Sequence, residues 1–496
     1  MEPAGSTIFY SLVAFLLLAP LYKAGNRPLP LLLLELAAVG FLLVFALRAA
    51  PAAHLRALPR TLIGGLALLL VYPLLQLVPL PDALWRALPG HAQYAAVLER
   101  FAAGGAAQVS HAISVVPPAT EYGWLALLPP LACLLGVLWL APRQVVRLLL
   151  AMAIFTGVQG LLGLLQVGSG GDSIFYLRND QAFGTATGTF VNRNHLAAML
   201  AMMLPVIVGL ILYSIRRGRR HHRRQNLGFD PEALSQRVLV FASAVLILLC
   251  LLFTRSRAGI ATALAGLAFS SILLMRAKVG LRHANLIVGA LVVVGIALAA
   301  LIGLAPILER MEPDQLRLSG EGRLALYAAT LRAGIEFLPF GSGLSTFADV
   351  FPRFQVGVFG GYVDHAHNDY LQLFMELGLA APVIVGLLLA AYVARIAALV
   401  QHDAARSFVV LQLAAGIGLL PMILHSLFDF ALHMPANAMW FAALVGVTFH
   451  SGVESERDAQ GRRSRRMPSS RLGIDEPTIP DTELPAREVG GRKPAS

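Results

Sequence analysis

Residues 194–224 read NHLAAMLAMMLPVIVGLILYSIRRGRRHHRR. The first 22, residues 194–215, carry no Asp, Glu, Lys or Arg and are apolar almost throughout. About 20 such residues wound into an α-helix cross the hydrocarbon core of a bilayer. The nine that follow, Arg216 to Arg224, hold six arginines and two histidines. A basic run of this kind beside an apolar span marks its cytoplasmic end. The stretch therefore predicts a membrane helix with its Asn194 end outside.

Working outward, about twelve apolar stretches of spanning length are found, near 7–22, 29–47, 61–80, 121–141, 144–166, 194–215, 237–253, 258–275, 284–304, 369–394, 407–427 and 436–450. The composition agrees: 57% of the residues are hydrophobic and 14% are charged. A soluble domain carries about 25% charged residues, so a surface this apolar needs lipid as its solvent. The net charge of +11 reads as topology, not as nucleic-acid binding, because the basic residues gather in short loops and in the tail. With Arg216–Arg224 inside, the Arg48–Arg60, Arg143–Arg147, Arg276–Arg282 and Arg395–Arg406 loops also fall inside, as do both termini. Lys23 and Arg27 fall on the wrong side. The expected outer segments are about 81–120, 167–193, 305–367 and the turn 428–435, joined by the corner at Thr254–Arg257. Segment 305–367 is too long for a simple connection and is expected to hold short helices. Residues 451–496 lack the apolar content for a core and are expected to form a disordered cytoplasmic tail. Cys133 and Cys250 lie in apolar runs and suggest neither a disulfide nor a metal site. The first apolar stretch has no basic leader or clear cleavage site and reads as a retained helix.

This registration sorts the polar residues. Asn192, Arg193, Asn194, His195, Arg255, Arg257, Arg323, Asp364, His365, His367, Asn368, Asp369, His425, Asp429 and His433 all fall on the outer side. Any one of them alone reads as a boundary residue meeting headgroups. Their recurrence from distant parts of the chain is what points to a site. Guanidinium groups suit a diphosphate, because the planar fork donates two parallel hydrogen bonds and stays charged. Imidazole suits proton transfer near neutral pH. The His365-Ala-His367 spacing alone is a weak metal signal, and no second ligand cluster accompanies it. Asp369 and Glu376 stand two turns apart and share one helix face.

The run His367-Asn368, nine residues, then Gly378-Leu379-Ala380-Ala381 resembles the signature of the O-antigen ligases. It departs from that pattern at Ala381, where the family often has Gly. Gly188–Ala197, Ser256–Gly259, Gly322–Leu324 and Pro339–Gly343 resemble family segments in the same order, so the likeness covers about 180–450. The resemblance implies an all-α polytopic enzyme of the C-type glycosyltransferase fold in the bacterial inner membrane, with a large periplasmic loop. It implies transfer of a glycan from undecaprenyl diphosphate to lipid A-core, to a growing polymer or to protein, by inversion and without metal, nucleotide or other cofactor. Under that reading His367 is the general base. Arg257 and Arg323 hold the diphosphate, with Arg255 and Arg193 as further candidates. Asn368, His365, Asp364, Glu376, Asn194 and His195 support them. A twelve-helix transporter or lipid flippase is the competing class. It would place ionisable groups near the midplane, which is nearly free of charge here. A structural scaffold would have no reason to gather Arg and His on one face.

Overall fold

The computed structural model describes residues 3–47, 58–103, 111–169, 184–224, 231–276, 281–302, 313–355, 361–401 and 407–452. The expected tail and parts of the 167–193 and 305–367 segments lie outside the described residues. Helices α1 (Pro3–Leu18) and α2 (Pro28–Leu47) are followed by α3 (Arg60–Gln76) and two short helices, α4 (Asp82–Ala87) and α5 (Ala92–Ala103). Next come the kinked pair α6 (Pro117–Leu125) and α7 (Leu128–Trp139), then α8 (Pro142–Gly168). The middle of the chain gives α9 (Arg193–Arg224), α10 (Pro231–Phe253), α11 (Arg257–Arg276), α12 (Leu281–Ile302), α13 (Pro313–Glu336) and α14 (Phe347–Val350). The last four are α15 (Asp369–Leu377), α16 (Ala380–Gln401), α17 (Ser407–His425) and α18 (Pro435–Phe449).

Eight helical segments among the described residues are long and apolar enough to cross a membrane, and four shorter apolar helices accompany them. Together they fall on the twelve expected stretches. The chain is an all-α, multi-pass membrane protein.

One expected span is cut differently. Residues 369–394 read as a single helix, but α15 ends at Leu377 and α16 starts at Ala380. Gly378 causes the break. Its φ is +57°, and a Cβ there would lie 2.2 Å from the carbonyl oxygen of Pro339. Only glycine lets the chain turn there while the backbone of 339–341 approaches this closely.

The bundle is built around α9 and α17. Leu196 to Leu204 and Val409 to Leu411 are buried without interruption. Gly209 of α9 faces Ala414 of α17, and Gly266 of α11 faces both Pro205 and Pro421. Small residues at these crossings let helix backbones approach, which is how membrane helices gain packing where no hydrophobic drive separates them from lipid. By contrast α2 exposes Leu29, Leu32, Leu33, Leu36, Val39 and Leu43, as a lipid-facing helix should.

A second, smaller apolar core gathers at one end of this bundle. Leu326, Ala329, Ala333 and Phe337 of α13 pack there with Phe347, Val350, Phe351, Ala366 and Met375. The starts of α9, α11 and α18 and the ends of α10 and α17 lie at that same end. At the other end, Arg237 of α10 bonds Ser214 of α9, and Arg395 of α16 donates to the carbonyl of Thr448 in α18.

Candidate active site

Asn192 and Asn368 each start a helix. The Asn192 side chain accepts from the backbone N–H of Asn194 at 2.8 Å, opening α9. The Asn368 side chain accepts from the N–H groups of Tyr370 and Leu371, both at 3.1 Å, opening α15. Capping of this kind satisfies orphan donors of the first turn. The amide oxygen of Asn368 therefore serves its own helix.

His367 sits just before that cap with φ +48°, an uncommon value for a residue with a Cβ. Tyr327 of α13 holds it there, its one hydroxyl hydrogen shared between the His367 carbonyl at 2.9 Å and the Leu427 carbonyl at 3.2 Å. His367 Nδ1 lies 3.1 Å from Asp429 Oδ1, with the imidazole 35% exposed and the carboxylate 1% exposed. No hydrogen bond to His367 Nε2 is formed among the described residues. The pairing leaves one ring nitrogen fixed by a buried carboxylate and the other available to a substrate.

Asp429 stands in the turn between α17 and α18. Besides His367 it faces His195 Nε2 at 3.8 Å and His425 Nε2 at 3.9 Å. Its Oδ1 also accepts from the N–H of Phe430 at 3.0 Å. Burial works to raise the pKa of this carboxyl, but the three imidazoles outweigh it and hold it well below the usual carboxylate range. Of the three, only His367 is within hydrogen-bonding distance.

Phe430 ties the histidines together. Its ring stacks on His365 at 4.0 Å between centroids, and it meets His195 and His367 edge-on at 4.6 and 4.9 Å. Burial, reinforced by the neighbouring His433, lowers the pKa of His365 to about 3, so this imidazole is neutral.

A second carboxylate–imidazole pair lies alongside, with His433 Nδ1 at 2.7 Å from Asp369 Oδ1. Gln372 Nε2 bridges His433 Nε2 and Glu376 Oε1, both at 3.1 Å. Burial raises the pKa of Glu376, whose Oε2 accepts from the N–H of Ser345 at 2.8 Å. Asp369 and Glu376 thus share one face, as their spacing predicts.

The arginines are placed by the elements that carry them. Arg323 is one turn before Tyr327 on α13, near enough for its charge to act on that phenol, as the charge of Asp429 also does. Arg257 begins α11 directly after Ser256, whose Oγ accepts from the N–H of Gly259 at 3.2 Å. A Cβ on Gly259 would lie 2.4 Å from the Cβ of Ala197, so the start of α11 packs on the start of α9 beside His195. Arg257 and Arg193 therefore lie at the same end of the bundle as His367. Arg255 occupies the corner itself with φ +51°. Asp364 is exposed, and Asn194 is half-buried in the first turn of α9.

Beside the cluster runs an apolar groove of about 430 Å³. Tyr370 and Phe374 of α15, Pro382 and Val385 of α16, Ile423 in the last turn of α17 and Leu427 just after it line it. Among the described residues, no group of three or more His, Cys, Asp and Glu side chains is arranged to hold a metal ion.

Residues 242–391 match the family described as O-antigen ligase. No curated protein matches the chain. The match supports an O-antigen ligase-like, glycan-transferring membrane enzyme, whose general partners are a lipid-linked glycan donor and a glycan or lipid acceptor. The matched segment contains Arg255, Arg257, Arg323, His365, His367, Asn368 and Glu376. It stops short of Asp429, His433 and Phe430, and starts after His195.

Proposed function

We propose that the chain transfers a glycan from undecaprenyl diphosphate to an acceptor hydroxyl at the periplasmic face of the inner membrane, as an O-antigen ligase-like enzyme. The observation that carries this reading is the His367–Asp429 pair, with Nδ1 held at 3.1 Å and Nε2 turned away from the carboxylate. His367 Nε2 takes the proton of the acceptor hydroxyl as its oxygen attacks the anomeric carbon. The bond from that carbon to the diphosphate oxygen breaks with inversion, and its electron pair leaves with undecaprenyl diphosphate. Asp429 fixes the tautomer and stabilises the imidazolium as it forms. Arg257 and Arg323, with Arg255 and Arg193 as further candidates, offset the charge growing on the leaving diphosphate. A substrate with an apolar tail and a polar head needs a pocket at headgroup level, and the apolar groove beside Tyr370 supports that requirement.

The test uses protein purified in detergent, a polyprenyl-diphosphate-linked oligosaccharide and an acceptor glycolipid. Transfer without a sealed membrane is expected of an enzyme and is impossible for a transporter. His367→Ala should slow turnover by about 10²–10⁴-fold while the protein still inserts. Arg257→Lys keeps the charge, loses the fork and should still impair donor use. Wild-type rates in the His367 variant remove it from the role. Analysis of glycans from a deletion strain then separates the acceptors: lost attachment to lipid A-core marks a ligase, and single repeat units mark a polymerase.

A further inference from the structure

Three imidazoles surround Asp429, and only one of them is explained by base catalysis. His195 and His425 come from different helices, are 3% and 0% exposed, and aim their Nε2 atoms at the two oxygens of the same carboxylate. His195 Nε2, both ring nitrogens of His425 and Asp429 Oδ2 have no hydrogen-bond partner among the described residues. A buried carboxylate oxygen without a donor is costly, and so is a buried imidazole N–H without an acceptor. A movement of under about 1 Å would bring each Nε2 into the hydrogen-bonding range and satisfy both.

We infer that His425 and His195 are positioning residues that act through Asp429: each donates Nε2–H to its carboxylate and keeps it turned toward His367. This rests on the reading of His367 as the base. The groups facing the carboxylate are His195 from α9, His425 from α17, His367 from the segment before α15, and Tyr327 from α13 with Arg323 one turn away. Each donor spreads the negative charge of Asp429 and so weakens its pull on a proton at His367. Loss of a donor concentrates that charge, and His367 then takes up its proton at higher pH.

The pH dependence of carbethoxylation at His367, followed by peptide mass analysis, reads this titration without any substrate. The reagent attacks only the neutral ring. In full-length protein in detergent, His425→Leu should raise the midpoint at His367 by about one pH unit. His425→Gln keeps an N–H donor and should return it near wild type. A packing role alone leaves all three midpoints equal, and that result overturns the inference. Asp429→Asn is the control for the pair itself and should lower the midpoint. If that control has no effect, the His367–Asp429 reading has failed; if only the His425 variants have none, the present inference has failed. A measurement on the wild type guards against a leucine variant that does not fold. Nitrogen chemical shifts of labelled histidine should show His425 as the Nε2–H tautomer, and the Nδ1–H tautomer would contradict the inference directly.

Discussion

The imidazole of His365 lies flat on Phe430, 4.0 Å between centroids and 16° between planes. That stacking buries the ring among His433, His195 and His367, which is why its pKa falls to about 3. The unfolded chain takes up a proton at this residue near pH 6.5, and the folded chain resists it down to about pH 3. Titration of His365 therefore costs the fold nothing above about pH 6.5 and opposes it progressively as pH falls from there. His365→Phe keeps the stack without the titration. Measured in detergent, the variant should gain up to about 2 kcal/mol relative to wild type between pH 7.5 and pH 5. Parallel wild-type and variant curves would show that burial of this ring does not couple to proton uptake.

Gln76 ends α3 and reaches across to two later segments. Its Nε2 donates to the carbonyls of Phe340 and Glu376 at 3.0 and 2.9 Å, and its Oε1 accepts from the N–H of Leu344 at 3.1 Å. The Phe340 carbonyl retains the Tyr72 hydroxyl, and the Glu376 carbonyl retains the N–H of Gly343. Only the Leu344 N–H is left buried and unpaired when Gln76 is replaced. Gln76→Leu should thus cost about 1–3 kcal/mol, seen as a lower melting temperature, although residue 76 lies far from His367 in sequence. An unchanged melting temperature would mean that the 339–344 turn holds itself on α15.

Most of the apolar helices were legible in the sequence because lipid imposes one rule, that each backbone polar group be satisfied within its own segment. Long apolar runs and basic loops follow from it. His365 and His367 were legible because they stand in a motif. Asp429, Phe430, His433 and Gln372 were not assigned roles, although Asp429 and His433 were visible as polar residues in the turn after α17, as was His425 at its end. Their pairing depends on residues about 60 positions apart, and no periodicity carries such information. The break at Gly378 was hidden for a related reason: one glycine inside an apolar run does not announce φ +57°. Gln76 was hidden most completely, since a lone amide at the end of a span reads as a boundary residue.

Tyr327 offers a test of how tightly His367 must be held. Its hydroxyl is the tether between α13, the His367 carbonyl and the Leu427 carbonyl, which precedes Asp429 by two residues. It therefore fixes both members of the His367–Asp429 pair from one point. Tyr327→Phe keeps the ring and removes only those bonds. The stability loss should be small, about 1 kcal/mol, because two carbonyls lose a neutral donor at a half-buried site. The effect on transfer should be larger in proportion, since a displacement of about 1 Å at a reacting group can cost about 10²-fold in rate. The expected pattern is a nearly normal melting temperature with turnover reduced several-fold or more and donor affinity little changed. Equal losses in stability and turnover would instead mean that the hydroxyl serves the fold alone and that the pair keeps its geometry without it.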